Sequence, residues 1–127
     1  MNPLNVSGAF HTKHMKSAQD ELDHILHKIK LSGPEEVNSD VYSNVTGRPF
    51  CGDDDIRDLL TRQLSETVRW ADVMNDVNNR FTGCGKNCGK ENVNAILELG
   101  PGNQLKSMLS KVNRKLVRIT KSIDLAT

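Results

Sequence analysis

Met15, Ala18, Leu22, Ile25, Leu26 and Ile29 recur at steps of three and four residues. That spacing puts them on one face of an α-helix. Asp20, Glu21, Asp23, His24 and Lys28 fall between them as its wet side, and Gly33-Pro34 ends it, because proline cannot continue a helix. Residues 4–10 alternate roughly and predict a brief strand or extended lead-in. Residues 40–47 predict a second strand, closed by a glycine turn. Asp53-Asp54-Asp55 then opens a helix carrying Ile56, Leu59, Leu60, Leu64 and Val68. One Asp caps it and the others favour its positive end. A third helix carries Trp70, Val73, Met74, Val77 and Phe81, with an Asn-rich end of low propensity.

Residues 83–89 are a polar loop, and 93–99 read as a buried strand. Gly100-Pro101-Gly102-Asn103 and a helix with Leu105, Met108, Leu109 and Val112 follow. Residues 115–119 predict a last strand, with 122–125 fraying after it. Strands alternating with helices imply an α/β layered fold with parallel strands.

Composition narrows the function classes. The chain has 127 residues, one domain's worth, with 17 Lys and Arg against 16 Asp and Glu. A net charge of +1 addresses neither nucleic acid nor a membrane surface in bulk. No apolar run is long enough to span a bilayer, and the start lacks the pattern of a secretory signal. Three cysteines are too few for a disulfide scaffold, so a soluble intracellular protein is expected. Cytoplasm, mitochondrion and plastid are not distinguished.

The candidate chemistry is sparse when taken residue by residue. His11 stands where an extended segment turns into the first helix, a place that fixes a ring while leaving one edge open. It suits a catalytic base, and equally a surface or capping histidine. His11 with His14, and His24 with His27, share helical spacing but have no third metal ligand. Cys84 and Cys88 form a CxxxC in a glycine-rich loop without the second pair that zinc prefers, and read as free thiols. Gly100-Pro101-Gly102 before a helix is a weak phosphate signal, since Pro101 removes an amide donor. From residue 101 onward six Lys or Arg face one Asp, a segment able to meet an acidic partner.

Taken in order, the motifs say more. Gly8-Ala9-Phe10-His11-Thr12, with Met15 four residues past the histidine, resembles the histidine motif of the malonyl-CoA:acyl-carrier-protein transacylases. The acyltransferase domains of fatty acid and polyketide synthases share that motif. The resemblance runs on through Val41-Tyr42-Ser43-Asn44-Val45-Thr46-Gly47 and Ile56-Arg57-Asp58-Leu59-Leu60-Thr61-Arg62-Gln63-Leu64. Val68-Arg69-Trp70 and Glu98-Leu99-Gly100-Pro101-Gly102 complete it. Residues 83–92 look longer than the family's usual loop.

The resemblance implies malonyl transfer from coenzyme A to the phosphopantetheine thiol of acyl carrier protein, by a ping-pong route through an acyl-serine. It implies His11 as general base and acid, and Gln63 as the residue whose backbone carbonyl orients that ring. Phe10 resembles the malonyl-type version, crowding an α-methyl group. Malonyl-CoA and acyl carrier protein are the implied partners; nucleic acid and membrane are not. No cofactor is implied, coenzyme A thioester being substrate.

The family's GxSxG elbow is absent from the sequence, as are its glutamine-containing oxyanion motif and its malonate-binding arginine. In the family these lie upstream of the histidine. The expected fold is therefore the C-terminal part of an α/β-hydrolase-like three-layer domain. Residues 1–12 would end a small ferredoxin-like subdomain at its last strand, and 13–127 would belong to the large α/β subdomain. The expected partner is then the missing N-terminal half of the same domain, without which the chain is inactive and prone to associate. The alternative is a non-catalytic module that binds acyl carrier protein through the basic segment. A third reading, nucleotide binding at residues 100–103, is also open.

Overall fold

The computed structural model describes residues 6–33, 36, 39–51, 56–83 and 93–123. The chain divides into two compact units, Met1–Trp70 and Ala71–Thr127.

In the first unit a 3-10 turn, Lys13–Met15, leads into α1 (Lys16–Leu26). The Thr12 hydroxyl caps the turn by accepting from the His14 amide. α2 (Ile56–Arg62) packs against α1 and buries Leu59 and Thr61. Ser65, just past α2, bonds Gln19 near the start of α1. Arg57, at the start of α2, donates Nε and Nη2 to the carbonyls of Leu26 and Ile29 at the end of α1, at 3.2 and 3.0 Å. The pair is therefore antiparallel. The apolar stripe of α1 is only partly covered, and Ile25 and Ile29 remain exposed.

Residues 40–47 do not form the predicted strand. Ser43 accepts at Oγ from the Val45 amide and at its carbonyl from the Gly47 amide, which turns the chain over residues 44–46. Only an isolated antiparallel bridge, Tyr42 to Pro49, flanks that turn. The alternation was genuine, but Ser, Asn, Thr and Gly offer the backbone local partners that outcompete a ladder. Residues 6–10 likewise form bends and a turn, not strand. Residues 1–5 and Asp53 to Asp55 lie outside the described residues, as do Cys84 and Cys88.

The second unit holds α3 (Trp70–Thr82) from its second residue on, β1 (Ile96–Leu99), α4 (Gln104–Val112), α5 (Leu116–Ile119) and β2 (Thr120–Ile123). β1 and β2 pair in parallel, Ile96 opposite Thr120 through Leu99 opposite Ile123, with α4 and α5 in the crossover. That is the βαβ unit expected of alternating elements. The last strand lies later than predicted. The Asn113 side chain accepts from the Lys115 amide and its carbonyl from the Leu116 amide, which starts a helical turn where a strand was expected. The turn buries Leu116 completely, at 0% exposure, and the strand follows it.

β1 is shorter than predicted and has inverted polarity. Glu98 is buried, while Leu97 and Leu99 are 58% and 65% exposed. One face of the pair carries Glu98 and Ser122 toward α4; the other carries Leu97, Leu99 and Ile123 to the surface. Parallel sheets normally have both faces covered by helices.

Candidate active site

Helix α2 ends at Arg62, and the carbonyls at a helix end have no intrahelical partner. Two of them find one far away in sequence. The His11 amide donates to the Leu64 carbonyl at 2.9 Å, and His11 Nδ1 lies 2.8 Å from the Gln63 carbonyl oxygen. A carbonyl can only accept, so the proton sits on Nδ1 and the neutral ring keeps its lone pair on Nε2. His11 is exposed, and Nε2 has no hydrogen-bond partner among the described residues. The arrangement fits a base with one fixed and one open nitrogen. It also fits a cap for α2, since the same two bonds satisfy two orphan carbonyls.

The turn that presents His11 is strained. His11 has φ +61°, the left-handed region that costs a non-glycine residue about 1 kcal/mol. The Thr12 hydroxyl holds the turn by donating to the Ala9 carbonyl at 2.7 Å. Beside it Phe10 is 50% exposed. Its ring lies against Gly8, where an added Cβ would come within 3.2 Å of Cε2. Next to Gln63, Arg62 donates Nε to Glu66 at 2.6 Å and Nη1 to Asp58 at 2.8 Å. Those bonds, Glu66 first, hold the guanidinium protonated even more firmly than usual.

The turn after β1 holds an anion, but one of the protein's own. Glu98 accepts from the amides of Leu105 and Lys106 at 2.8 and 3.1 Å, and from the Ser122 hydroxyl at 3.1 Å. Desolvation pushes its carboxyl up, but the two amides, the hydroxyl and the Lys106 charge outweigh that and hold it below the usual carboxylate range. Two of the N-terminal amides of α4, those of Leu105 and Lys106, are thus already engaged. That engagement counts against the nucleotide-binding reading of residues 100–103.

No family model matches the chain. Individual relatives do. The mitochondrial malonyl-CoA-acyl carrier protein transacylase of Mus musculus is 33% identical over 121 residues, which cover 95% of this chain and 29% of the relative. The transacylase of Bacillus subtilis (strain 168) is 32% identical over 120 residues, 94% of this chain and 33% of the relative. The crystal structure of the Clostridium perfringens transacylase superposes with a TM-score of 0.74 at 30% identity, covering 96% of this chain and 34% of that one. Over nearly its whole length the chain matches part of the malonyl-CoA–acyl carrier protein transacylases. It spans about a third of the length of the relatives it matches.

The fold is the α/β-hydrolase-like arrangement of these transacylases, present in part. Another similar structure, at 28% identity and a TM-score of 0.68, is described as an acyl-carrier protein of a type II polyketide synthase in complex with its malonyl-transacylase. Of the residues singled out by sequence, the structure brings His11 and Gln63 together across 52 positions and sets Phe10 beside His11. It leaves His24 exposed and engages His27 within its own helix, Nδ1 lying 2.9 Å from the Asp23 carbonyl. Sequence reasoning missed Glu98 as an internal cap, although a lone carboxylate inside Leu97-Glu98-Leu99 was a signal that the polar side might face inward. It also missed Gln19 and Ser65, and nothing in their spacing announced that pair. Among the described residues no helix is long and apolar enough to cross a membrane.

Proposed function

We propose that this chain supplies the general base of malonyl transfer from coenzyme A to the phosphopantetheine thiol of acyl carrier protein. The observation that carries this reading is the His11 Nδ1 bond to the Gln63 carbonyl, with Nε2 left open. In the proposed route a serine on the remaining part of the family fold gives its hydroxyl proton to Nε2 and attacks the malonyl thioester. The C–S bond breaks, Nε2–H protonates the departing coenzyme A thiolate, and a malonyl-serine remains. Nε2 then takes the carrier thiol's proton, the thiolate attacks the ester, and the proton returns to the serine oxygen. Throughout, Nδ1–H stays on Gln63, which keeps Nε2 the reacting nitrogen. A carbonyl stabilises the imidazolium less than a carboxylate would, which suffices when the leaving group is a thiolate. Phe10, at the edge of the same turn, narrows the space for an α-substituent on the acyl group.

The chain contains no GxSxG, so by itself it is expected to transfer no malonyl group. Residues 1–12 are proposed to end the small subdomain and 13–127 to form part of the large one. Joining the chain to the upstream part of a transacylase should yield malonyl-loaded carrier protein, read by mass spectrometry. A joined, folded and acyl-serine-competent protein that never loads the carrier would overturn the reading.

A second reading has its own observation. Lys111, Arg114, Lys115, Arg118 and Lys121 are all solvent-facing, and none forms an ion pair with a described residue. A non-catalytic module that holds acyl carrier protein would use them. Charge reversal at Lys111, Arg114 and Lys115 would then weaken carrier binding while His11→Ala left it unchanged.

A further inference from the structure

The segment around the Gln63 carbonyl is closed by the Glu66 amide, which reaches the Arg62 carbonyl at 2.9 Å, but the bonds of Gln63 and Leu64 themselves are longer. Beyond Arg62 the helix loosens: the Gln63 amide reaches the Leu59 carbonyl at 3.2 Å and the Leu64 amide reaches that of Thr61 at 3.3 Å, both long for N–H···O bonds. On its far side the neighbouring Leu64 carbonyl is held by the His11 amide at 2.9 Å. A further contact in this turn, side chain to side chain, comes from the other helix. The Ser65 hydroxyl, half-buried, donates to Gln19 Oε1 at 2.6 Å, while its second contact, to the Arg62 carbonyl, is 3.4 Å. Gln19 sits on α1, which the 3-10 turn joins directly to His11. The chain from His11 to Gln19 and the chain from Gln63 to Ser65 therefore form a closed ring, fastened at one end by Gln63 to His11 and at the other by Ser65 to Gln19.

We propose that Ser65 and Gln19 are positioning residues: their hydrogen bond holds the Gln63 carbonyl against Nδ1 and so fixes His11 in the tautomer whose Nε2 is a base. The proposal rests on the reading of His11 given above. The physical consequence is specific. A hydrogen bond at 2.8 Å selects the Nδ1–H form, and retreat of the carbonyl removes that selection. The proton can then move to Nε2, where it blocks base catalysis without unfolding anything. Neither side chain touches the reacting atoms.

Long-range 1H–15N correlation spectra of the histidine rings in the whole 127-residue chain test this without substrate. His11 should show the Nδ1–H form in the unsubstituted protein. Ser65→Ala and Gln19→Ala should each shift it to a mixture led by Nε2–H. Ser65→Thr, which keeps the hydroxyl, and Gln19→Glu, which keeps an acceptor, should restore the Nδ1–H form. His27, just past α1 and bonded back to Asp23, is the internal reference and should not change. Should Ser65→Ala fail to fold, Gln19→Ala carries the test, since alanine favours the helix it would enter. An Nδ1–H signal that survives both alanine variants would overturn the clamp alone. An Nε2–H form in the unsubstituted protein would overturn the orientation of His11 by Gln63, and the clamp with it. A parallel change at His27 would mean general loosening of α1, which also contradicts the proposal.

Discussion

The turn at His11 and the strand pair at Glu98 solve opposite problems with the same device, an orphan group at a helix end. At His11 the end of α2 offers free carbonyls, and a donor from 52 residues away satisfies them while one ring nitrogen stays open. At Glu98 the start of α4 offers free amides, and a carboxylate from β1 consumes them and is buried in doing so. The first arrangement leaves a reactive atom exposed, whereas the second leaves none. Helix ends build chemistry only where the partner brings more valence than the end can absorb. Imidazole has a second nitrogen; the Glu98 carboxylate spends both oxygens on the second unit.

The surroundings differ as well. The His11 turn is completed by its own unit. The strand pair presents Leu97 and Leu99 on a face that a layered α/β fold would cover. That contrast accords with a chain spanning about a third of its transacylase relatives.

The largest effect that can separate the two regions is Leu116→Ala. Leu116 is the most deeply buried side chain among the described residues of the second unit, and truncation of such a residue costs about 2–5 kcal/mol. Amide exchange should accelerate in β1, β2 and α4, while the amides of His11 and Gln63 keep their rates. Equal acceleration everywhere would show that the two regions are not separately held.

The next effect is acid sensitivity at Glu98. Its carboxyl is held below the ordinary carboxylate value, so the unfolded chain binds the proton more readily than the folded one. The stabilisation is therefore complete above the ordinary carboxylate range and is lost as pH falls through the depressed folded value. Acidification should loosen the Leu105 and Lys106 amides first, by exchange measured from neutral pH downward, and Glu98→Gln should flatten that profile. An unaltered profile in the glutamine variant would assign the acid sensitivity to other groups.

A smaller change is expected from His11→Asn. Asparagine tolerates the left-handed backbone and can donate from its side-chain amide, so thermal stability should shift by about 1 kcal/mol or less while any base function disappears. A larger loss would mean that His11 serves mainly as a cap. Smallest in stability is the pair Leu97→Lys with Leu99→Lys, expected within about 0.5 kcal/mol because both are exposed. Its effect should appear in association instead: sedimentation should show less self-association than in the unsubstituted chain. Unchanged sedimentation would mean that this face drives none.

How legible all this was depended on where the partners lay. α1, α3 and α4 could be read because their apolar residues repeat at helical spacing and little competes with that signal. The parallel pairing of β1 with β2 followed from alternation of elements. The strand expected at 40–47 failed because the Ser43 hydroxyl and carbonyl bond locally, and the one at 115–119 moved because Asn113 starts a helical turn first. At the candidate site, His11, Gln63 and Phe10 were named through family motifs rather than through periodicity. The Ser65–Gln19 bond joins two polar residues 46 positions apart, and no local pattern encodes such a pair.

The most direct measurement compares His11→Ala with the unsubstituted chain, each joined to the upstream part of a transacylase, by the rate of malonyl transfer to acyl carrier protein. The account predicts a fall of about 10²-fold or more, the usual contribution of a general base, with the protein still folded. A rate within a fewfold of the unsubstituted protein would remove His11 from the mechanism and leave it a helix cap.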